Sequence, residues 1–156
     1  MWAHIKKYST EIYSIALCLT LGMLSGYISH AEPSTWYQNL IKPNFTPPSY
    51  VFSPVWIILY IMLGYALSII YKQRQKDPAL LNMFIIQFLL NITWSPLFFM
   101  LHRIDLAMFN ILFLLAATIA CIVKGSYNKK FVLVMIPYAA WIIFATVLTT
   151  YIYNVN

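Results

Sequence analysis

The chain has 156 residues, 62% of them apolar and only 9% charged, with ten Lys and Arg against four Asp and Glu and a mean hydropathy of +0.73. Soluble domains carry about 45–50% apolar and about 25% charged residues, so a water-soluble globule is excluded, as is a disordered chain, which needs low hydrophobicity and high net charge. The formal charge of +6 does not indicate a nucleic-acid binder, because the cations form short clusters between apolar runs rather than a basic face.

In chain order, the first apolar run covers about residues 12–28 and is long enough to span hydrocarbon, which needs ~20 residues. It lacks a convincing small-residue cleavage site, so it reads as a mature helix rather than a signal peptide. It carries Cys18 and a Gly22-xxx-Gly26 pattern that favours close helix contact. With Cys121 as the only other thiol, no disulfide framework or CxxC metal pattern is available. His30 closes the run; an axial haem ligand is one reading, but a lone interfacial His is more often a solvated side chain.

A connection of unusual length follows, residues 31–50, with prolines at 33, 43, 47 and 48. Prolines forbid regular helix through most of it, while Trp36, Tyr37, Phe45 and Tyr50 argue against a disordered linker. It reads as a structured lid over one end of a bundle. The second run, about 51–71, places Trp56, Tyr60, Gly64 and Ser68 at four-residue spacing on one helical face.

The third run, about 79–100, holds Gln87, Asn91 and Trp94 at i, i+4 and i+7, with Phe98 a turn further on. Amides on one face of a membrane helix most often bond neighbouring helices; the sharper alternative is a polar anchor at the floor of an apolar cavity. The fourth run, about 106–123, carries Asn110, read as interhelical glue, and the small pair Ala116 and Ala120. The fifth, about 131–153, has Pro137 inside it, as the third has Pro96. Each proline removes a backbone hydrogen bond and opens local space.

Together these runs predict an all-α fold, one transmembrane domain of five helices over residues 1–156. The segments do not alternate as barrel strands would. Eight of the ten cations fall on the N-terminal segment (Lys6, Lys7), the second loop (Lys72, Arg74, Lys76) and the fourth loop (Lys124, Lys129, Lys130). Lys42 and Arg103 alone mark the other side. In a bacterial cytoplasmic membrane, the location expected because no transit peptide precedes the first helix, the bias places the N-terminus in the cytoplasm. No carboxylate lies mid-span, which argues against proton-coupled transport. Neither a P-loop, HExxH, GxGxxG nor a nucleophile–base set is present, and no metal site is expected.

The stretch Trp36-Tyr37, Leu40, Lys42-Pro43, Pro47-Pro48, Pro54, Trp56, Leu59-Tyr60 and Gly64 resembles the loop and second helix of the translocator protein family, also called tryptophan-rich sensory protein (TspO) or peripheral benzodiazepine receptor. Gln87, Asn91, Trp94 and Phe98-Phe99 resemble its third helix, and Pro137-Tyr138, Trp141 and Phe144-Ala145-Thr146 its fifth. The resemblance implies a five-helix bundle, commonly a homodimer, binding porphyrins such as protoporphyrin IX or haem, or isoquinoline-type molecules, in a pocket under the first loop, with no required cofactor. It makes Trp56 and Trp141 the aromatic pair facing a tetrapyrrole. Tyr60, Asn91, Tyr138 and Ala145 become wall positions, while Trp36, Pro47 and Pro48 belong to the lid; Gln87 and Trp94 line the same face. Some bacterial members degrade porphyrin in light, which would make Trp56 and Trp141 catalytic; passive transport of the same ligands is a further reading. Lys42 and Arg103, on the lid side, are placed to meet propionates or simply to snorkel at the interface. Phe45 stands where many relatives have Trp and Leu106 where vertebrate members have Trp. Leu148-Thr149-Thr150 lacks the Tyr and cation of the animal cholesterol motif, so cholesterol recognition is not implied.

Overall fold

In lipid, a backbone must satisfy its own N–H and C=O groups, and a sequence with no strand alternation does so as helix. The computed structural model describes residues 2–29 and 35–156, with side chains from Tyr8 onward within those ranges. Among them the elements are α1 (Trp2–Ser29), α2 (Thr35–Asn39), α3 (Ser49–Lys72), α4 (Pro78–Ser95), a π-helical turn (Pro96–Met100), α5 (Ile104–Lys124) and α6 (Lys129–Val155). Five of these are long and apolar enough to cross a membrane. α1 begins well before the apolar run, so Lys6 and Lys7 lie on helix rather than in a tail. His30 and residues 31–34 of the lid fall outside the described residues, as do the side chains of Lys6 and Lys7.

Local chemistry sets the helix ends. Asp77 caps α4 by accepting from the Leu80 N–H at 3.1 Å, with Pro78 in the first turn where its missing N–H is harmless. Asn128 caps α6 by accepting from the Phe131 N–H at 3.2 Å. Between Pro33 and Pro43 there is room for one short helix, α2, inside the loop that the prolines otherwise keep irregular.

Pro96 has a different consequence. Lacking an N–H, it cannot bond the carbonyl of Ile92, and the helix beyond it widens into the π turn, closed by Leu101 N–H on the Pro96 carbonyl at 2.9 Å. The freed Ile92 carbonyl accepts instead from the Ser25 hydroxyl of α1. A neighbouring helix thus restores the bond that proline removed. Pro54 and Pro137 lie within α3 and α6.

The five long helices form a ring whose order is not the chain order: α1 packs on α3, α3 on α6, α6 on α5, α5 on α4, and α4 back on α1. Two glycines set the closest approach within it. A Cβ on Gly64 would land on the Ile15 backbone, so only glycine lets α3 meet α1 there; one on Gly22 would overlap the Tyr60 ring. Inside lies a core that includes Leu63, Ala66, Phe84, Ile111, Leu114, Met135 and Ile142, each almost wholly buried. A second cluster at the lid end gathers Phe98, Ala107, Leu148 and Ile152. The outward faces are as apolar as the core, with Leu133, Val123, Phe113 and Tyr13 largely exposed; lipid is the only solvent that suits them.

Candidate functional site

The polar face of α4 points inward, so each of its amides meets an aromatic residue from across the ring. The Tyr60 hydroxyl donates to Asn91 Oδ1 at 3.0 Å, and the Tyr138 hydroxyl donates to Gln87 Oε1 at 2.8 Å. Gln87 and Tyr138 are fully buried, Asn91 and Tyr60 nearly so. These bonds tie α4 to α3 and α6, as expected of amide glue. They use only the oxygens, however. The Gln87 Nε2, Asn91 Nδ2 and Trp94 Nε1 groups and the Thr118 hydroxyl of α5 are buried and make no close hydrogen bond, although Asn91 and Thr118 both lie beside the Tyr138 hydroxyl. Unspent donors in an apolar interior are costly, about 1–3 kcal/mol each by mutational measure. They favour whatever brings an acceptor.

Aromatic walls flank this polar line. On the α3–α6 side, Trp56 stacks on Tyr60 at 5.4 Å and meets Trp141 edge-on at 6.4 Å. Phe52 and Phe144 extend the wall around Trp141, and Phe45 of the lid touches Phe144. Ala145 is half-buried against the core at the same level. On the α4 side, the π turn turns Phe98 inward, where Trp94 stacks on it at 5.2 Å and Trp36 and Tyr37 of α2 meet it edge-on. Trp36 also stacks on His102 at 4.2 Å, and His102 adopts a left-handed backbone with φ of 52°.

The lid is sewn down by polar bonds that sequence reading missed. Lys42 donates to the carbonyls of Tyr37, Leu40 and Gln38 at 2.7, 2.9 and 3.2 Å, which caps the end of α2. Asn156 both accepts from the Ile41 N–H at 2.9 Å and donates to its carbonyl at 3.0 Å. Arg103 makes a two-pronged pair with Asp105 at 2.8 and 2.6 Å. Lys42 and Arg103 thus both carry structural bonds at the lid side of the bundle. Burial pushes the Tyr37 phenol above its ordinary value.

The structure thus gathers Tyr60, Gln87, Asn91 and Tyr138 into one buried set. Trp56, Trp141 and Ala145 lie on one flank, with Trp94 and Trp36 in the Phe98 group on the other. Pro47 and Pro48 stand apart at the head of α3, half-buried and exposed, where Pro48 precedes its first turn. Of the residues missed, Phe52 and Phe144 lay one helical turn from Trp56 and Trp141 and were readable from spacing. Thr118 was not, since a lone Thr in an apolar run is unremarkable. Asn110 donates to Thr93 at 3.0 Å, the glue role expected of it. Gly22 seats the Tyr60 ring, whereas a Cβ on Gly26 would meet nothing. Ala116 and Ala120 face outward.

Comparison with known proteins agrees with this architecture. The sequence profile described as the TspO/MBR family matches residues 14–154. The chain is 34% identical to "Tryptophan-rich protein TspO" of Archaeoglobus fulgidus, over 93% of this chain and 95% of that one. It is 30% identical to the protein of that name from Chlorobaculum tepidum, over 97% and 98%, and 30% identical to human "Translocator protein", over 81% and 78%. A match across nearly the whole five-helix bundle, together with relatives of this identity and coverage, means that the chain belongs to the TspO/MBR family.

Proposed function

We propose that this integral membrane protein is a receptor for porphyrins and related flat apolar molecules, bound beneath the lid between the Trp56–Trp141 wall and the amide face of α4. The observation that carries the reading is the row of unspent donors, Gln87 Nε2, Asn91 Nδ2 and Trp94 Nε1, beside extended aromatic surface. A tetrapyrrole or isoquinoline supplies a large face for stacking and a few acceptor atoms. The family resemblance points to the same ligand class. In a bacterial cytoplasmic membrane, the location proposed here, the charge asymmetry supports a cytoplasmic N-terminus, and the homodimer implied by the resemblance belongs to the same proposal.

One observation favours a second reading. Tyr60, Trp56 and Trp141 are in consecutive ring contact, so a photoexcited porphyrin against Trp141 or Trp56 would have oxidisable side chains at hand. Titration of protoporphyrin IX into the detergent-purified protein, with absorbance followed in darkness and light, separates the readings. Saturable binding with an unchanged spectrum under light supports the receptor. Saturable binding followed by light-dependent loss of the porphyrin bands, absent in Trp56→Phe and Trp141→Phe, makes it an enzyme. No saturable binding and no quenching of tryptophan fluorescence refutes both. Protein-dependent flux of porphyrin across proteoliposomes would show passive transport.

A further inference from the structure

At the opposite end from the lid, α1, α3 and α4 leave a groove of about 440 Å³ between them. Its lining includes Thr10, Tyr13 and Leu17 from α1, Leu67 and Tyr71 from α3 and Ile85 from α4. Leu17 lies about 10 Å beyond Thr10 along the α1 axis, Leu67 is one turn deeper than Tyr71, and Ile85 is two turns into α4. The groove therefore runs from a hydroxyl-bearing mouth at the helix ends to an aliphatic interior. Tyr13 and Leu17, 74% and 52% exposed, line it from the outer face of α1, so it opens sideways onto the hydrocarbon rather than onto the central site.

The charge at this end of the bundle is one-sided. Among the described side chains, this end of the bundle holds six Lys and Arg against Glu11 and Asp77. Lys72 is bonded to Glu11, and Lys124 lies 3.8 Å from Asp77. Arg74 stays beside the groove: its guanidinium lies 4.1 Å over the Tyr71 ring and donates to the Tyr71 carbonyl at 2.9 Å, and among the described residues no carboxylate pairs with it. Guanidinium held on an aromatic ring keeps donors free for a planar or tetrahedral oxyanion.

We propose that this groove is a binding site for one anionic glycerophospholipid, with an acyl chain along Leu17, Leu67 and Ile85 and the headgroup phosphate at Arg74. A lateral opening onto hydrocarbon selects a lipid over a water-borne anion, and Arg74, held on the Tyr71 ring beside the groove without a carboxylate partner, selects an anionic headgroup over a zwitterionic one. The site is independent of the central one.

Native mass spectrometry of the full chain in detergent, titrated with phosphatidylglycerol or phosphatidylcholine, tests it. The expected result is one retained phosphatidylglycerol per chain, favoured over phosphatidylcholine by about fivefold, the effect of roughly one basic side chain at a membrane surface. Arg74→Gln removes the preference, while Lys130→Gln, at the same end but outside the groove lining, leaves it. Leu17→Trp and Ile85→Trp, at positions that already face outward and so spare the core, fill the groove and lower retention of both lipids. Unchanged melting temperature and porphyrin titration in these variants show that the fold is intact. Equal retention of the two lipids, an equal loss of preference in Lys130→Gln, or retention unaffected by the Trp variants overturns the proposal. A shift of the Trp variants from dimer to monomer without loss of lipid also overturns it, and assigns the groove to a second copy of the chain.

Discussion

At the scale of single residues, the buried amides have divided loyalties: each gives its oxygen to a tyrosine and keeps its N–H groups unspent. Tyr60→Phe deletes the donor to Asn91 Oδ1 and leaves that oxygen buried and unpaired, which should lower stability by about 1–3 kcal/mol. Thermal unfolding in detergent checks this, and the double variant Tyr60→Phe/Asn91→Leu should recover part of the loss because neither partner is then stranded. Asn91→Leu alone should weaken porphyrin binding about tenfold, near the upper value of a single hydrogen bond; fluorescence titration reads it. The glycines give a sharper contrast. Gly64→Ala pushes α1 off α3 and should cost about 1–3 kcal/mol, whereas Gly26→Ala, with nothing near the new methyl group, should be neutral or slightly stabilising. The site was legible at this scale because polar residues in an apolar helix betray an inward face. The lid clasp of Asn156 on Ile41 was not, since nothing local marks two residues so distant in sequence as partners.

Among the elements, α4 shows how a helix break is accommodated. Pro96 and Ser25 form a functional pair only through the Ile92 carbonyl, so their effects should not add. Ser25→Ala should destabilise the protein by about 1–3 kcal/mol, the cost of an orphaned carbonyl. In a Pro96→Ala background, where an N–H returns to that carbonyl, the same change should cost much less. A double-mutant cycle on melting temperatures measures the difference, and additivity would refute the pairing. The lid helix α2 depends on Lys42 in a comparable way: Lys42→Met strips its last carbonyls of their donor, so amide exchange should quicken over residues 37–41 and porphyrin should dissociate faster. The five spans were readable from apolar runs and prolines. α2 was obscured by the prolines around it, and the Ser25 hydroxyl that meets the Ile92 carbonyl comes from another helix, which no local pattern announces.

For the whole molecule, lipid makes both faces of every span apolar, so the sequence carries little sign of which face turns inward. Only polar and small residues such as Gln87, Asn91 and Gly64 mark it, and the ring order therefore had to come from the structure. Orientation is a global property that charge does mark. Gln75 lies in the cation-rich turn and Gln38 in the lid, both exposed, while Cys18 and Cys121 are buried. In intact bacteria, a membrane-impermeant maleimide should label Gln38→Cys and spare Gln75→Cys; the reverse pattern would invert the topology. The ring order has a consequence for biogenesis. α3 and α6 are neighbours although two spans separate them in the chain, and Trp56 meets Trp141 only across that seam. A ribosome releasing this chain therefore threads four spans into the bilayer with the ring still open on one side. Until the final span slots between α3 and α5, Trp56 and Gln87 lack their partners from α6. The proposed ligand site is completed last, so a nascent chain arrested before its final span carries no finished site, and porphyrin occupancy, on the function proposed above, would report completed insertion.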